Sequence, residues 1–349
     1  MVRKSLFFPL VCLGAFFAAA LPGRLTAADG PSQYELGEPI HIGGPGNYDY
    51  VTLDRRQKRL YIPRTTHTQV LDITTGKVVA DIEGQEHNHG VALNRQAGRG
   101  FISDGAGFVV IFDTKTNGVL GKVKADQDAD GIINDRASNK VYVGCGDAGV
   151  LVPIPVDVDP TNGKADPPIE LGGKPEGLAT DSQGRIYVNL EDKNQVAVVD
   201  TKAGKVVDKW SVAPGGAPVG LSINAKSHHL FVGCRKPQKL IVINTEDGHV
   251  LADLPIGAGC DWTAFDGGNI LASCGGEGGM LNVARETSPG KFEIVQNLKT
   301  RTRAKTMAVD TSTHTIYLPT AEYPEQTGRG RPKAKPDSFM LVVVKPAQK

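Results

Sequence analysis

The stretch DSQGRIYVNLEDKNQVAVVDTKAGKVVDKW, Asp181 to Trp210, holds three turns and three short strands. DSQG leads into an apolar alternation at Ile186 and Val188, the polar EDKNQ into a second apolar run from Val196 to Val199, and DTKAGK into a third at Val206 and Val207. β-Branched residues suit a pleated, half-buried surface, while the Gly, Asn, Asp and Lys clusters supply the reversals between strands. With Gly177-Leu178-Ala179-Thr180 in front as a fourth strand, the unit is a four-stranded antiparallel meander.

The same unit recurs on both sides. Its first strand ends each time in an acidic or amide anchor: Asp54 (VTLD), Asn94 (VALN), Asp135 (IIND), Asp181 (LATD), Asn224 (LSIN), Asp266 (TAFD) and Asp310 (MAVD). The anchors are 40, 41, 46, 43, 42 and 44 residues apart. Seven units at this period predict an all-β fold, a seven-bladed β-propeller of four-stranded antiparallel blades. The last unit runs out after its third strand, Met340 to Val344, whereas Tyr34 to Ile42 is a strand without a unit. The N-terminal strand is therefore expected to complete blade 7, pairing an edge that would otherwise be a template for aggregation. Blade 3 carries Pro153, Pro155, Pro160, Pro167 and Pro168, so its outer part should be irregular.

Composition agrees with many turns and few helices: 42 Gly against 11 Phe in 349 residues. Arg3 and Lys4, an apolar run to Ala20 and small residues up to Ala28 predict a cleavable signal peptide over residues 1–28, followed by a single propeller over 29–349. The product is expected in the periplasm or outside the cell, with no membrane span, as a monomer. Cleavage takes away Arg3, Lys4 and Arg24 and no acid, moving the formal charge from +1 to −2. That balance gives no general case for nucleic acid.

Segments such as IYVN…VAVVDTKAGKVV and LFVG…LIVINTEDGHVLADLPIG resemble the YVTN-type β-propeller repeat of YncE-like secreted bacterial proteins, over essentially all of residues 34–346. The resemblance implies the propeller fold. Its members are mostly uncharacterised binding or surface proteins, so it implies little about chemistry.

Loops between blades, and loops between second and third strands, share the face at the channel mouth, where function in repeat folds sits. From these loops the expected ligand-binding residues are Tyr48, Arg64, His67, His89, Asp130, Glu176, Arg235, Asp261, Trp262, Arg303 and Lys305. Acids and imidazoles come from blades 2 to 4 and cations from blades 5, 7 and 1, which suits a small anionic or zwitterionic ligand, or a protein partner. No cofactor is expected, and no catalytic motif is found: G-x-S-x-G, HExxH, P-loop and C-x-x-C are all missing. The leading reading is a non-catalytic binding or scaffold module. A metal-dependent, lactonase-like hydrolase is the alternative, with a divalent ion on His87, His89, Asp104, Asp128 and Asp130, and with Glu176, Asp130 and His89 as acid or base. The insertion from Ala321 to Ser338, with Arg329, Arg331, Lys333 and Lys335, reads as a flexible basic loop. Cys145, Cys234, Cys260 and Cys274 leave three readings open: a disulfide of Cys260 with Cys274 or Cys234, a metal thiolate site, or buried apolar thiols.

Overall fold

A computed structural model describes residues 1–2, 30–324 and 333–348. Nearly all of the expected leader, together with Arg329 and Arg331 of the basic loop, lies outside the described residues.

Seven antiparallel sheets stand around a central axis, each beginning with its inner strand. The inner strands are Thr52–Asp54, Asn88–Asn94, Ala129–Asp135, Pro175–Thr180, Pro218–Asn224, Cys260–Asp266 and Ala308–Asp310. The unit read first is blade 4: Pro175–Thr180, Arg185–Leu190, Gln195–Asp200 and Lys205–Ser211, paired in that order. Its turns form for the reasons the sequence suggests. Asp200 Oδ1 accepts the backbone N–H groups of Lys202 and Ala203, and Gly204 takes the left-handed φ of 63° that ends the turn. Trp210 is structural. It lies 5.6 Å from Tyr187 between ring centroids and donates its indole N–H to Asp208.

Blade 7 takes its fourth strand from the other end of the chain. Tyr34–Leu36 pairs antiparallel with Met340–Pro346, with Tyr34 opposite Pro346. Gly37-Glu38-Pro39 then breaks the strand, and Ile40–His41 rejoins the same partner opposite Leu341 and Met340. The ring is closed by the N-terminal strand. Blade 3 is irregular outside, its fourth strand shrinking to Ile169–Glu170. The core is repeated between blades rather than gathered in one place, as where Phe231 of blade 5 stacks on Phe265 of blade 6 at 5.5 Å. Among the described residues the only helix is a 3-10 turn at Glu191–Lys193, and no helix is long and apolar enough to cross a membrane.

Among the described residues, Cys145, Cys234, Cys260 and Cys274 are all buried free thiols, and no disulfide joins them. Cys260 and Cys274 nonetheless face one another across the blade 6 ladder.

Candidate functional site

The residue five positions before each anchor enters the mouth of the channel: Asp49, His89, Asp130, Glu176, Val219, Asp261 and Lys305. Six of the seven are ionisable, one per blade. In blades 2 to 6 the inner strand is bulged at this point, the register shifting between Asn88 and Val91, Ala129 and Ile132, Pro175 and Leu178, Pro218 and Gly220, and Cys260 and Trp262. A bulge releases one residue from the ladder and re-aims its side chain, and here it does so at the same place in successive blades.

The following position is Tyr50, Gly90, Gly131, Gly177, Gly220, Trp262 and Thr306. Glycine lets adjacent inner strands pass closely, since a Cβ at Gly177 would lie 2.2 Å from the Val219 carbonyl oxygen. Tyr50 and Trp262 instead fill the channel beneath the charged ring, with centroids 5.1 Å apart.

Charges alternate around one side of the ring. Arg235 donates to Glu191 at 3.1 Å and to Asp261 at 2.7 Å, and Asp261 also holds Lys305 at 2.6 Å. Lys305 is 3.7 Å from Asp49, and Asp49 takes the His89 Nδ1 proton at 2.9 Å, with Asp130 3.4 Å from the same nitrogen. Arg235, from the second strand of blade 5, thus brings a charge to the sector where Val219 offers none. On the far side the pairing thins out. Among the described residues, Glu176 pairs only with Lys174, at 3.7 Å, and the Asp130 Oδ1, Asp49 Oδ1 and His89 Nε2 atoms are buried without hydrogen-bond partners.

The electrostatics follow this layout. Burial works against a charged Lys305 and a charged Arg235, but Asp49 and Asp261 for the first, and Asp261, Glu176 and Glu191 for the second, hold both above their ordinary values. Burial also opposes the His89 imidazolium, yet the bond to Asp49 and the charges of Asp130 and Asp128 outweigh it and raise it to about 9. Lys305 and His89 likewise overcome burial at Asp49 and keep it below the usual carboxylate range. Asp130 and Glu176 go the other way. Burial pushes Asp130 to about 6, and burial together with the charges of Asp130 and Glu191 pushes Glu176 to about 8.

Among the described residues, Asp49, His89 and Asp130 are three potential metal ligands whose donor atoms lie within 4.8 Å of one another. At neutral pH the His89 imidazolium is the positive charge between those two carboxylates. Asp104 is occupied otherwise: it caps its own loop by accepting the N–H groups of Glu86, His87 and Ala106.

Five of the expected ligand residues, His89, Asp130, Glu176, Asp261 and Lys305, form the ring, and Arg235 joins them. The other five do not. Arg64 is wholly buried, its guanidinium donating to the carbonyls of Gly43, Gly44, Pro45, Gly46 and Asn47 and to Gln69, with Phe339 stacked 3.8 Å away. Tyr48 hydrogen-bonds to Tyr323 at 2.8 Å and to the Arg303 carbonyl, which fastens the loop of blade 7. Arg303 lies over the Tyr323 ring at 4.7 Å. His67 sits farther out, 3.9 Å from Asp81 on the outer strand of blade 1. Trp262 lines the interior of the channel rather than its rim. Asp49 belongs to the ring but not to the expected ligand set, and the five-residue offset from the anchors is the signal that picks it out.

Asp261 is the hinge of the paired side, 5% exposed and holding two cations. Asp261→Ala removes the acid shared by Arg235 and Lys305, leaving the first with Glu191 and the second with Asp49 at 3.7 Å. Because both cations keep about a third of their surface in water, the expected loss is about 2–3 kcal/mol rather than the full cost of an isolated buried charge. Urea denaturation reads it directly, and an unchanged midpoint would mean the two cations are held by solvent instead.

No protein-family model matches the chain. It is 22% identical over 253 residues to the uncharacterised protein YncE of Salmonella typhi, covering 68% of each chain. With YncE of Escherichia coli K12 the identity is 25% over 159 residues, 41% of this chain and 44% of that one. Among solved structures, a chain of Kuenenia stuttgartiensis hydrazine synthase superposes with a TM-score of 0.67 over 86% of this chain and 96% of that one, at 12% identity, which is a likeness of fold alone. Together the repeat, the closed seven-bladed ring and these similarities describe a YncE-like β-propeller.

Proposed function

We propose that this protein is an exported, non-catalytic binding module of the YVTN-repeat class, whose ligand presents a positively charged group to Asp130 and Glu176 at the channel mouth. One observation carries the reading. The cations of the ring are already engaged, Arg235 and Lys305 by Asp261, whereas Asp130 and Glu176 are adjacent carboxyls without a hydrogen bond of their own among the described residues. Two buried acids whose affinity for protons is raised by burial, and for Glu176 also by the charge of Asp130, are short of positive charge, and an ammonium or guanidinium supplies it. The zwitterionic ligand expected from the loops keeps its cationic half as the anchor. A purely anionic one finds Arg235 and Lys305 already held.

The pH dependence follows. Glu176 is protonated in the free protein below about 8 and Asp130 below about 6. A cationic ligand binds the ionised acids and displaces protons, so affinity is expected to rise by at least about tenfold, one unit of pKa, between pH 6 and pH 9. Calorimetry with arginine methyl ester tests this, with succinate as the anionic control. Tight succinate binding, or ester affinity that falls as pH rises, would remove the proposal.

Stability carries the matching sign. The folded carboxyl of Glu176 keeps its proton up to about 8, while in the unfolded chain it ionises near its ordinary value of 4.5. Between these limits the unfolded state binds fewer protons, so stability falls as pH rises, and above about 8 the penalty is complete. Glu176→Gln removes that titration and is expected to gain on the parent by on the order of 2 kcal/mol between pH 5 and pH 9. Parallel melting curves of the two proteins would expose an absent crossover.

A further inference from the structure

The opposite end of the channel holds a second cavity, of about 650 Å³, which is of a size that takes small ligands. Its floor is apolar, made by Val91, Ile132, Leu178 and Trp262, and Tyr50 packed on Trp262 separates it from the charged mouth. Its rim is basic. Arg56, Arg95 and Arg136 come from the turns that follow the inner strands of blades 1, 2 and 3, and no acidic residue lines the cavity. Arg95 is bound to the buried Asp54 at 2.9 Å, but Arg56 and Arg136 make no ion pair among the described residues. Between floor and rim lie the amides of Asn94 and Asn134, joined to one another at 2.9 Å.

The asymmetry is a property of the sequence. The anchors of blades 1 to 3 are followed by Arg55-Arg56, Arg95 and Arg136, those of blades 4, 6 and 7 by Ser182, Gly267 and Thr311. The inner strands of the same three blades, with Leu53, Leu93 and Ile133, add half-buried apolar side chains to the wall. Unpaired guanidinium groups beside an indole and aliphatic floor make two complementary subsites. The first takes an oxyanion through paired N–H donors, and the second takes a flat hydrocarbon ring against Trp262.

We propose that this cavity binds a small aromatic oxyanion, a carboxylate, sulfonate or phosphate carried on a ring system. The acid group sits between Arg56 and Arg136, with the ring on Trp262. This site is independent of the mouth and of the reading given to it.

The probe is 2-naphthalenesulfonate, titrated into the intact protein by calorimetry while tryptophan fluorescence is followed. Expected is saturable binding of one probe per protein with quenching that is lost in Trp262→Phe, Trp210 being remote on the outer strand of blade 4. Each of Arg56→Ala and Arg136→Ala, on exposed turns, should weaken binding about tenfold, the loss of one charge-assisted hydrogen bond. Two controls separate the subsites: inorganic sulfate has the charge without the ring, and 2-naphthalenemethanol has the ring without the charge. Both should bind at least about tenfold more weakly. The proposal is overturned by the absence of saturable binding, by either control matching the probe, or by binding that both arginine variants leave unchanged. Arginine methyl ester at the mouth should not compete with the probe, and competition would place the probe at the other end of the channel.

Discussion

A chain shortened to begin at Glu38 is expected to lose cooperative folding as a monomer. The missing piece, Tyr34–Leu36, is the outer strand of blade 7, and Tyr34 is almost fully buried. Gln296 of blade 6 brackets its backbone, accepting the Tyr34 N–H at 2.8 Å and donating to its carbonyl at 2.7 Å, and Asn269 reaches its hydroxyl. Losing the tyrosine burial costs about 3 kcal/mol, and the ladder and bracket bonds about 1 kcal/mol each. Their sum consumes much of the roughly 5–15 kcal/mol that stabilises a typical domain. The cut also bares the backbone edge at Val344–Pro346, the partners of Tyr34–Leu36, while Ile40–His41 still covers Met340 and Leu341. Size-exclusion chromatography should find oligomers, and Tyr34→Ala in the full chain should lower stability by about 3 kcal/mol without oligomerisation. A truncated protein that melts sharply as a monomer would show that the ring does not depend on this closure.

Arg64→Ala is expected to cost roughly 4 kcal/mol and to leave ligand binding at the mouth intact. Arg64 gathers five backbone carbonyls and Gln69 around a guanidinium that burial pulls down to about 10. Truncation orphans those acceptors and opens a void beside Phe339. Arg64→Lys should recover only part of the loss, since a point charge on a flexible stem cannot serve a fork of acceptors. Chemical denaturation gives the stability, and calorimetry with arginine methyl ester gives the binding. Unchanged stability with lost binding would return Arg64 to the ligand site.

These two residues mark the limits of what the sequence disclosed. Blade number, strand order and closure are repeated features, carried by the anchors and by apolar alternation, and each repeat reinforces the others. Glu176, Asp130 and His89 could be placed at the mouth because they belong to the loops that lead from one blade into the next. Trp262 follows Asp261 directly, and the step of one position is what turns it from the rim into the channel. Arg64 had no such marker. It stands just past the second strand of its blade, where Arg235 ends that of blade 5, and its fate depends on whether neighbouring backbone folds into a cup of carbonyls. Tyr48 and Arg303 were obscured in the same way, both being committed to Tyr323, a contact between blades 1 and 7 that no local pattern encodes.

The pairing of Tyr34 with Pro346 also sets an order on how the molecule comes into being. The strand that leaves the ribosome early has its partner about 300 residues further along the chain. Blades 1 to 6 are built from neighbours in sequence and can assemble as they emerge, but blade 7 waits for the last strand to arrive. Closing so long a loop is entropically slow. Until then the nascent ring is an open arc with an unmatched sheet at each end, and this interval, more than any weakness in the finished propeller, is when the chain is exposed to mispairing with other copies of itself.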